Sequence, residues 1–241
     1  LMNGSGSAED PYVITNVGDL QSMNQNLSAH YVLGTNINAT ETNTWNKGEG
    51  FEPIGKTREN AFTGSFNGRN KIITGLSITR VYDDNVGLFG VIKKGKVRSV
   101  HLHDVDIQGK SWTGGLVGDL KNGGINSTTV TGNVSGEGAV GGVVGLIEES
   151  NVQKVRSDVQ ISSTEVSTGG IAGAIVEDGS VFASISHGNV SAKGNPTGGF
   201  VGYLDDRATG IRNSFSTATV DGNAETGGFV GSADSVWPTL S

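Results

Sequence analysis

The stretch Gly114-Gly115-Leu116-Val117-Gly118 contains a Gly-x-x-Gly unit with apolar middle residues, and this unit recurs along the chain. Six copies are present, and they begin 28, 27, 28, 29 and 29 residues apart. The glycines that open and close the units are Gly87 and Gly90, Gly115 and Gly118, Gly142 and Gly145, Gly170 and Gly173, Gly199 and Gly202, and Gly228 and Gly231. A further glycine precedes every unit except the first, which follows Val86. A fixed period of about 20–50 residues indicates a solenoid, a propeller or another repeat array.

A second pattern lies within each period, where two apolar residues recur nine positions apart. The pairs are Ile125/Val134, Val152/Ile161, Val181/Val190 and Ile211/Val220. In the first period the pair Val97/Ile107 is ten apart, which predicts a β-bulge. The residues between them are rich in Ser, Thr and Gly, which favours short strands over helix.

The repeat length selects the architecture. A WD-type blade needs about 40 residues, and a leucine-rich repeat needs a leucine and asparagine pattern that this chain lacks. Periods of 27–29 residues suit one coil of a β-helix, in which each coil hydrogen-bonds to the next at about 4.8 Å. We therefore predict an all-β fold, a right-handed single-stranded β-helix. Its glycines would stack at corners that need positive φ or a close backbone approach.

The sequence divides into residues 1–85, expected to form a cap and irregular first coils, and residues 86–241, expected to form the repeat coils of the same solenoid. In the first part, the expected elements are strands at 12–14 and 30–37, a short capping helix at 19–27, a loop at 38–50, and early coils at 62–66 and 72–78 joined by a turn at Asn67-Gly68. After Gly231 the last coil is short and has no evident cap. This predicts that a longer protein continues or that this end docks on something.

Composition excludes several classes of protein. Glycine contributes 39 of 241 residues, which disfavours a helical bundle, and the 17 % of charged residues is too low for disorder. The formal net charge of −7 gives no electrostatic reason to bind nucleic acid, and no apolar run is long enough to insert into a membrane. There is no Cys, so disulfides and thiolate metal sites are absent. We expect no cofactor.

The repeat units and the strings that follow them, such as 211–220, resemble the GLUG-motif family of surface proteins. The segments 6–14, 19–23, 30–33 and 62–68 are similar to those that often precede such repeats. The resemblance implies a right-handed β-helix in a bacterial or archaeal cell-surface or secreted protein, including adhesin-like proteins and regions beside IgA-cleaving peptidases. It implies no catalytic residue. The missing glycine before the first unit and the small Ala172 depart from the pattern.

Candidate chemistry is sparse. His101 and His103 would point outward beside Asp104 and Asp106, which suits a metal, although no third ligand is evident in register. A polysaccharide-cleaving enzyme would need clustered carboxylates, and Asp104, Asp106 and Asp158 with Arg156 lie in comparable strands. For both sets we favour an ordinary solvated surface.

Three further features bear on possible ligands and modification. The loops after the third to fifth units are acidic and would stack as a column of carboxylates, either as a solvated edge or as a cation site. Trp45, Trp112 and Trp237 do not repeat with the coils, so packing or loop roles are favoured over sugar stacking. The candidate N-glycosylation sites are Asn26, Asn38, Asn126, Asn133 and Asn189.

These patterns predict a non-enzymatic, extracellular or cell-surface β-solenoid with a structural or adhesive function. Its partner would be another surface protein, a glycan or copies of itself. Two alternatives remain open: a self-assembling subunit of a filament or surface layer, and a polysaccharide-active β-helix enzyme.

Overall fold

The computed structural model describes residues 2–234, and it is a parallel β-solenoid of about six coils. This confirms the predicted all-β fold class and the stacking of the repeats. Three sheets run along the solenoid. All strand pairs among the described residues are parallel, apart from two isolated antiparallel bridges at Asn3–Val13 and Gly50–Ile78.

Sheet A is the widest sheet and contains 13 strands. Its strands are β1 (Tyr12–Ile14), β2 (His30–Leu33), β3 (Ile37–Asn38), β4 (Ser65–Thr74), β5 (Ser77–Thr79), β7 (Lys96–Gln108), β10 (Gly124–Gly136), β13 (Asn151–Ser163), β16 (Ser180–Phe182), β17 (Ile185–Ala192), β20 (Gly210–Arg212), β21 (Phe215–Ser216) and β22 (Thr219–Asp221).

Sheets B and C are narrower, and the Gly-x-x-Gly units join them. Sheet B comprises β6 (Phe89–Lys93), β9 (Val117–Lys121), β12 (Val144–Glu148), β15 (Ala172–Val176), β19 (Val201–Leu204) and β24 (Val230–Ala233). Sheet C comprises β8 (Thr113–Gly114), β11 (Val140–Gly141), β14 (Thr168–Gly169), β18 (Thr197–Gly198) and β23 (Thr226–Gly227).

The core is a set of stacked side chains inside the three sheets. One column on sheet A consists of the predicted residues Val97, Ile125, Val152, Val181 and Ile211, all at most 2 % exposed. The bulge predicted in β7 is present, because the register between β7 and β10 shifts at the step from Val130 to Gly132. One coil alone could not bury these side chains, so the stacking of coils creates the core.

The N-terminal cap differs in detail from the prediction. A helix, α1, spans Val17–Ser22, and a 3-10 turn follows at Met23–Gln25, whereas we expected one helix over 19–27. Asn16 caps α1, because its side chain accepts a hydrogen bond of 2.8 Å from the Asp19 backbone amide. Asp19 therefore lies within the first turn. The buried side chains of α1 and the turn, Val17, Leu20 and Met23, cover the first coil.

Three other N-terminal expectations were wrong. The second strand is split into β2 and β3. The expected loop at 38–50 contains a 3-10 segment at Thr40–Gly48, which non-helical residues at 45–47 interrupt. The expected turn at Asn67-Gly68 lies inside the single strand β4, which bends at Arg69 and Asn70. Because β4 pairs with β7, sheet A runs without a break across the expected boundary at residue 85.

Candidate functional site

The six repeat units lie in register as one column. Their third residues, which begin the sheet B strands, pair in the order Phe89, Val117, Val144, Ala172, Val201 and Val230. The glycines that close the units do not have positive φ, so they are not needed for a left-handed conformation. They are needed for close approach: a Cβ on Gly145 would lie 2.5 Å from the Trp112 carbonyl carbon and 2.6 Å from the Gly118 oxygen. The same crowding recurs at Gly173 and Gly202.

Positive φ at the bend of sheet A is instead adopted by residues other than glycine. Ser99, Ser127, Lys154, Ala183 and Asn213 occupy equivalent positions in successive coils with φ between 49° and 56°. This left-handed conformation disfavours most side chains. We divide the outer face of sheet A into two parts. The first part includes the residues before the bend and the first outward residue after it, and the second part includes the rest of each strand.

An ionic cluster fixes the N-terminal segment to the outer face of sheet B. Ile54 and Phe62 form isolated parallel bridges with Phe89 and Ile92 of β6, so residues 54–62 lie beside the sheet. From this segment Arg58 donates through Nε to Oδ2 of Asp119 on β9 at 2.7 Å. It also donates through Nη2 to Oε2 of Glu148 on β12 at 2.5 Å.

Both carboxylates of this cluster are buried, at 1 % exposure for Asp119 and 8 % for Glu148. Burial raises the pKa of Asp119 despite the opposing influence of Arg58. Burial would also raise the pKa of Glu148, but hydrogen bonds from Lys121 and Arg58 outweigh it and hold that pKa below its ordinary value. The hydrogen bond to Asp119 raises the pKa of Arg58. We call this cluster of Arg58, Asp119, Lys121 and Glu148 the clamp. Each of its charged groups has a partner of opposite charge within the cluster.

The expected column of carboxylates is therefore not a bare acidic edge. Glu148 forms ion pairs with Lys121 and Arg58. Oε1 of Glu177 lies 2.9 Å from Nη1 of Arg207. Glu149 accepts a hydrogen bond of 2.6 Å from the Asn122 amide. Basic and amide groups of the protein therefore pair with Glu148, Glu149 and Glu177 along this edge.

Potential metal ligands come together at one place within residues 2–234: Asp205, Asp206 and Asp234, whose carboxylate oxygens lie within 4.8 Å of one another. Arg207 donates to Asp205, and the Tyr203 hydroxyl donates to Asp234 at 2.5 Å. This hydrogen bond is the main reason that the pKa of Tyr203 rises to about 12. The four residues His101, His103, Asp104 and Asp106 do not form such a group.

The outer face of sheet A carries the other candidate residues. Leu102 points inward, as expected, and His103, Asp104 and Asp106 are exposed. Thr131 pairs with Asp158, and its hydroxyl accepts from the Asp104 amide at 3.0 Å. Asp104 and Asp158 thus lie two coils apart with Thr131 between them, and Asp106 pairs with Asn133 rather than with an acid. The register does not bring these carboxylates together as a pair.

Two exposed aromatic residues on sheet A were missed by the sequence analysis, which considered the tryptophans. Phe182 is 41 % exposed and Phe215 is 51 % exposed, and the His187 ring meets Phe215 edge-on at 6.3 Å. Alignment of the repeats would have shown that apolar residues replace polar ones at these outward positions. Trp45 packs on Phe51, Trp112 is 39 % exposed, and Trp237 lies outside the described residues.

The sequon asparagines lie at the surface. Asn26, Asn38, Asn133 and Asn189 are exposed, and Asn126 is half-buried and accepts from the Ser127 hydroxyl. A further sequon at Asn3-Gly4-Ser5 was overlooked, and Asn3 is exposed as well. Glycosylation of these residues stays a prediction. Across residues 2–234, we find no helix with the length and apolar character required to cross a membrane.

Comparison with known proteins connects this chain to large proteins. It is 38 % identical over 154 residues to halomucin of Haloquadratum walsbyi, matching 62 % of this chain and 2 % of halomucin. It is 26 % identical over 230 residues to the immunoglobulin A1 protease of Streptococcus sanguinis, matching 90 % of this chain and 12 % of that protein. The chain therefore spans only a small fraction of the length of these relatives.

A solved structure has the same fold. It is that of a Bacteroides ovatus protein described as a candidate immunoglobulin A1 protease, with a TM-score of 0.76 and 19 % identity over 96 % of this chain and 86 % of that one. The model of the M26 IgA1-specific metallo-endopeptidase N-terminal region matches residues 8–132, just over half of the 241 residues. The chain thus belongs to the family of the N-terminal region of M26 IgA1-specific metallo-endopeptidases.

Proposed function

We propose that this chain is a non-enzymatic, adhesive scaffold segment of an extracellular surface protein. The observation that carries the proposal is the outer face of sheet A. On this face β7, β10 and β13 pair in parallel and hold their outward side chains in columns, with one register shift between β7 and β10, and the described part of the chain places no segment over them. A face of this kind suits contact with an extended partner along the solenoid.

The relatives support a location outside the cell. Immunoglobulin A1 is an antibody of extracellular fluids, so a protease named for it meets its substrate there. The family is defined on the N-terminal region of such enzymes, and this chain matches only 12 % of the streptococcal protease. The GLUG resemblance points the same way, to surface proteins.

The metal of a metallo-endopeptidase does not fit the residues present. Such enzymes commonly hold zinc with His-Glu-x-x-His on a helix. None of the four histidines here is followed by Glu, and the three-carboxylate group at Asp205 contains no histidine. Arg207 and Tyr203 already occupy hydrogen-bonding positions in that group. We therefore assign the chain no peptidase step.

An adhesion assay tests the proposal directly. Beads coated with the folded chain should adhere to cell surfaces or extracellular matrix more than beads coated with heat-unfolded chain. The chain alone should cleave neither immunoglobulin A1 nor polysaccharide. Cleavage of either, measured by gel electrophoresis or release of reducing ends, would contradict the proposal, as would equal adhesion of folded and unfolded chain.

The two alternative functions, self-assembly and polysaccharide cleavage, predict different results for the same purified chain. A self-assembling subunit would sediment as large species whose size grows with concentration, and electron microscopy would show repeated end-to-end contacts. A polysaccharide-active enzyme would release reducing ends. A chain that adheres as a discrete small species and releases none supports the scaffold function.

A further inference from the structure

The first part of the outer face of sheet A carries a set of cations on alternate coils. Arg98 and Arg212 lie in one register column, separated by Asn126, Gln153 and Phe182 on the intervening coils. The middle coil adds two more cations, which complete what we call the cationic strip: Arg98, Lys154, Arg156 and Arg212. Cations therefore occur on the first, third and fifth of five successive coils. Two rungs of about 4.8 Å separate them by roughly 10 Å.

The strip is a local reversal of charge in a protein of net charge −7. All four of its side chains are exposed, and within residues 2–234 none lies within 4.0 Å of a carboxylate. The acids on this outer face, including Asp104, Asp106 and Asp158, follow the bend toward the ends of the strands. Asp158 is the next outward residue after Arg156 on β13, so the acids begin directly beyond the strip, whereas the column of Arg98 and Arg212 contains no acid.

Neutral groups suited to sugars lie between the cations. The Asn126 and Gln153 amides can donate to and accept from hydroxyl groups. Beside Arg98, a shallow groove of about 320 Å³ passes over Gly124, whose missing side chain leaves the space between Lys96 and Asn151 open. A Cβ added to Gly124 would lie 3.7 Å from its nearest atom, the Asn151 carbonyl oxygen. The packing of the coils therefore does not require glycine at this position.

Aromatic surface continues the strip toward later coils. Phe182 pairs with Arg212, and Ile185 lies between Arg156 and Phe215 in the adjacent column. The exposed faces of Phe182 and Phe215 can pack against the apolar faces of sugar rings. Arginine presents a planar fork that matches carboxylate and sulfate oxygens. Charged, amide and aromatic groups therefore lie together in two columns, one on each side of the bend.

We propose that the cationic strip binds an acidic polysaccharide that extends along the solenoid, with carboxylate or sulfate groups on alternate sugars. The proposal rests on the adhesive function above and names the partner class. The repeat of such a chain is comparable to the spacing of two coils, so successive acid groups meet Arg98, then Lys154 and Arg156, then Arg212. Sugar hydroxyls meet the amides, and ring faces meet Phe182 and Phe215.

The test measures binding of the folded chain to heparin, hyaluronate and neutral dextran by calorimetry. We expect binding to at least one acidic polymer, weaker binding at higher salt, and none to dextran. The triple variant Arg98→Gln, Arg156→Gln and Arg212→Gln should lose at least tenfold in affinity. Its matched control, Lys94→Gln, Lys110→Gln and Lys193→Gln, removes the same charge from other exposed positions and should lose less than threefold. Phe182→Ser with Phe215→Ser should weaken binding at unchanged charge.

Three results would overturn the proposal: no binding to either acidic polymer, equal losses in the two triple variants, or tighter binding to single-stranded DNA than to either polymer. Circular dichroism verifies that each variant is folded. The bead assay separates this proposal from the function on which it rests. Adhesion that acidic polysaccharides do not inhibit would remove the glycan partner and leave the adhesive scaffold in place.

Discussion

Arg58 and Glu148 are 90 residues apart in the sequence, yet the Nη2 atom of Arg58 lies 2.5 Å from Oε2 of Glu148. The arginine belongs to the irregular N-terminal segment, and the glutamate belongs to the third repeat unit's strand, β12. Between them, Arg58 also pairs with Asp119 of β9. One side chain therefore connects the non-repeating part of the chain to two successive coils, which makes it a specific link between the cap region and the solenoid.

Replacing Arg58 with Met should destabilise the fold strongly. Methionine keeps an apolar stem but leaves the Asp119 carboxylate, which is 1 % exposed, without its guanidinium partner. Breaking a buried ion pair on one side costs about 3–5 kcal/mol, and the partly exposed arginine places the expected loss of unfolding free energy toward the lower end. Urea denaturation measures this loss.

The control for that variant is Arg207→Met. Arg207 also pairs with several carboxylates, but its side chain is 63 % exposed. Exposed ion pairs contribute about 0–1 kcal/mol, so this variant should stay near wild type. If the two substitutions lower the unfolding free energy by the same amount, the burial of Asp119 and Glu148 does not increase the contribution of the clamp to stability.

The contribution of Glu148 should depend on pH. Its pKa is lower in the folded protein than its ordinary value of 4.5, so the stability it supplies is complete above about pH 4.5 and is lost as pH falls through the folded pKa. Glu148→Gln resembles the protonated acid. The difference in unfolding free energy between wild type and this variant should therefore be largest near pH 7 and should decrease as the pH falls below about 4.5.

Denaturant titrations at several pH values measure that difference. The neutral, exposed substitution Gln160→Ala serves as the control, because its difference from wild type should stay constant over the same range. A Glu148→Gln difference that is equally large at pH 3 and pH 7 would mean that hydrogen bonding by the neutral side chain, rather than its charge, stabilises the clamp.

The repeating coils could be predicted because each coil must bury the same inward positions. Ile125 and Val152 are apolar in sequence and stack in the core, since a polar residue there would be buried without water. The bulge at Asp104 could also be predicted, because one extra residue in a strict period has to be accommodated somewhere. Periodicity thus determines the inside of the solenoid.

The outside and the cap could not be predicted in the same way. Asn16 caps the helix, so the helix begins two residues before its expected start at Asp19, and both residue types favour helix starts. Lys154 adopts positive φ at the bend although nothing in its residue type signals this. The contact of Arg58 with Asp119 joins a segment without repeats to a repeat, so no period places the two together.

Ser157 offers a substitution that should stabilise the protein. It occupies an inward position that is Val130 in the preceding coil, and its buried hydroxyl has no hydrogen-bond partner among the described residues. An unsatisfied buried polar group costs about 1–3 kcal/mol. Ser157→Ala should therefore raise the unfolding free energy by about 1 kcal/mol, measured by urea denaturation.

Ser186 is the matched control, because it pairs with Ser157 in the next coil and is equally buried. Its hydroxyl donates to the Gly199 carbonyl at 2.7 Å. Ser186→Ala should lower the unfolding free energy by about 1 kcal/mol, since it removes a made hydrogen bond. The same sign of change in both variants would show that residue volume, and not hydrogen bonding, controls this column.

The close approach at the repeat glycines predicts that Gly145→Ala unfolds or strongly destabilises the protein. The new methyl group would lie 2.5 Å from the Trp112 carbonyl carbon and 2.6 Å from the Gly118 oxygen. Both are backbone atoms of the preceding coil that cannot move without breaking hydrogen bonds, so the loss should reach or exceed about 3 kcal/mol. Gly124→Ala adds the same group where the nearest atom is 3.7 Å away and should cost less than about 1 kcal/mol. Thermal unfolding measures the melting temperatures of the two variants. If Gly145→Ala melts at the same temperature as Gly124→Ala, the closing glycines are not required for the coils to stack.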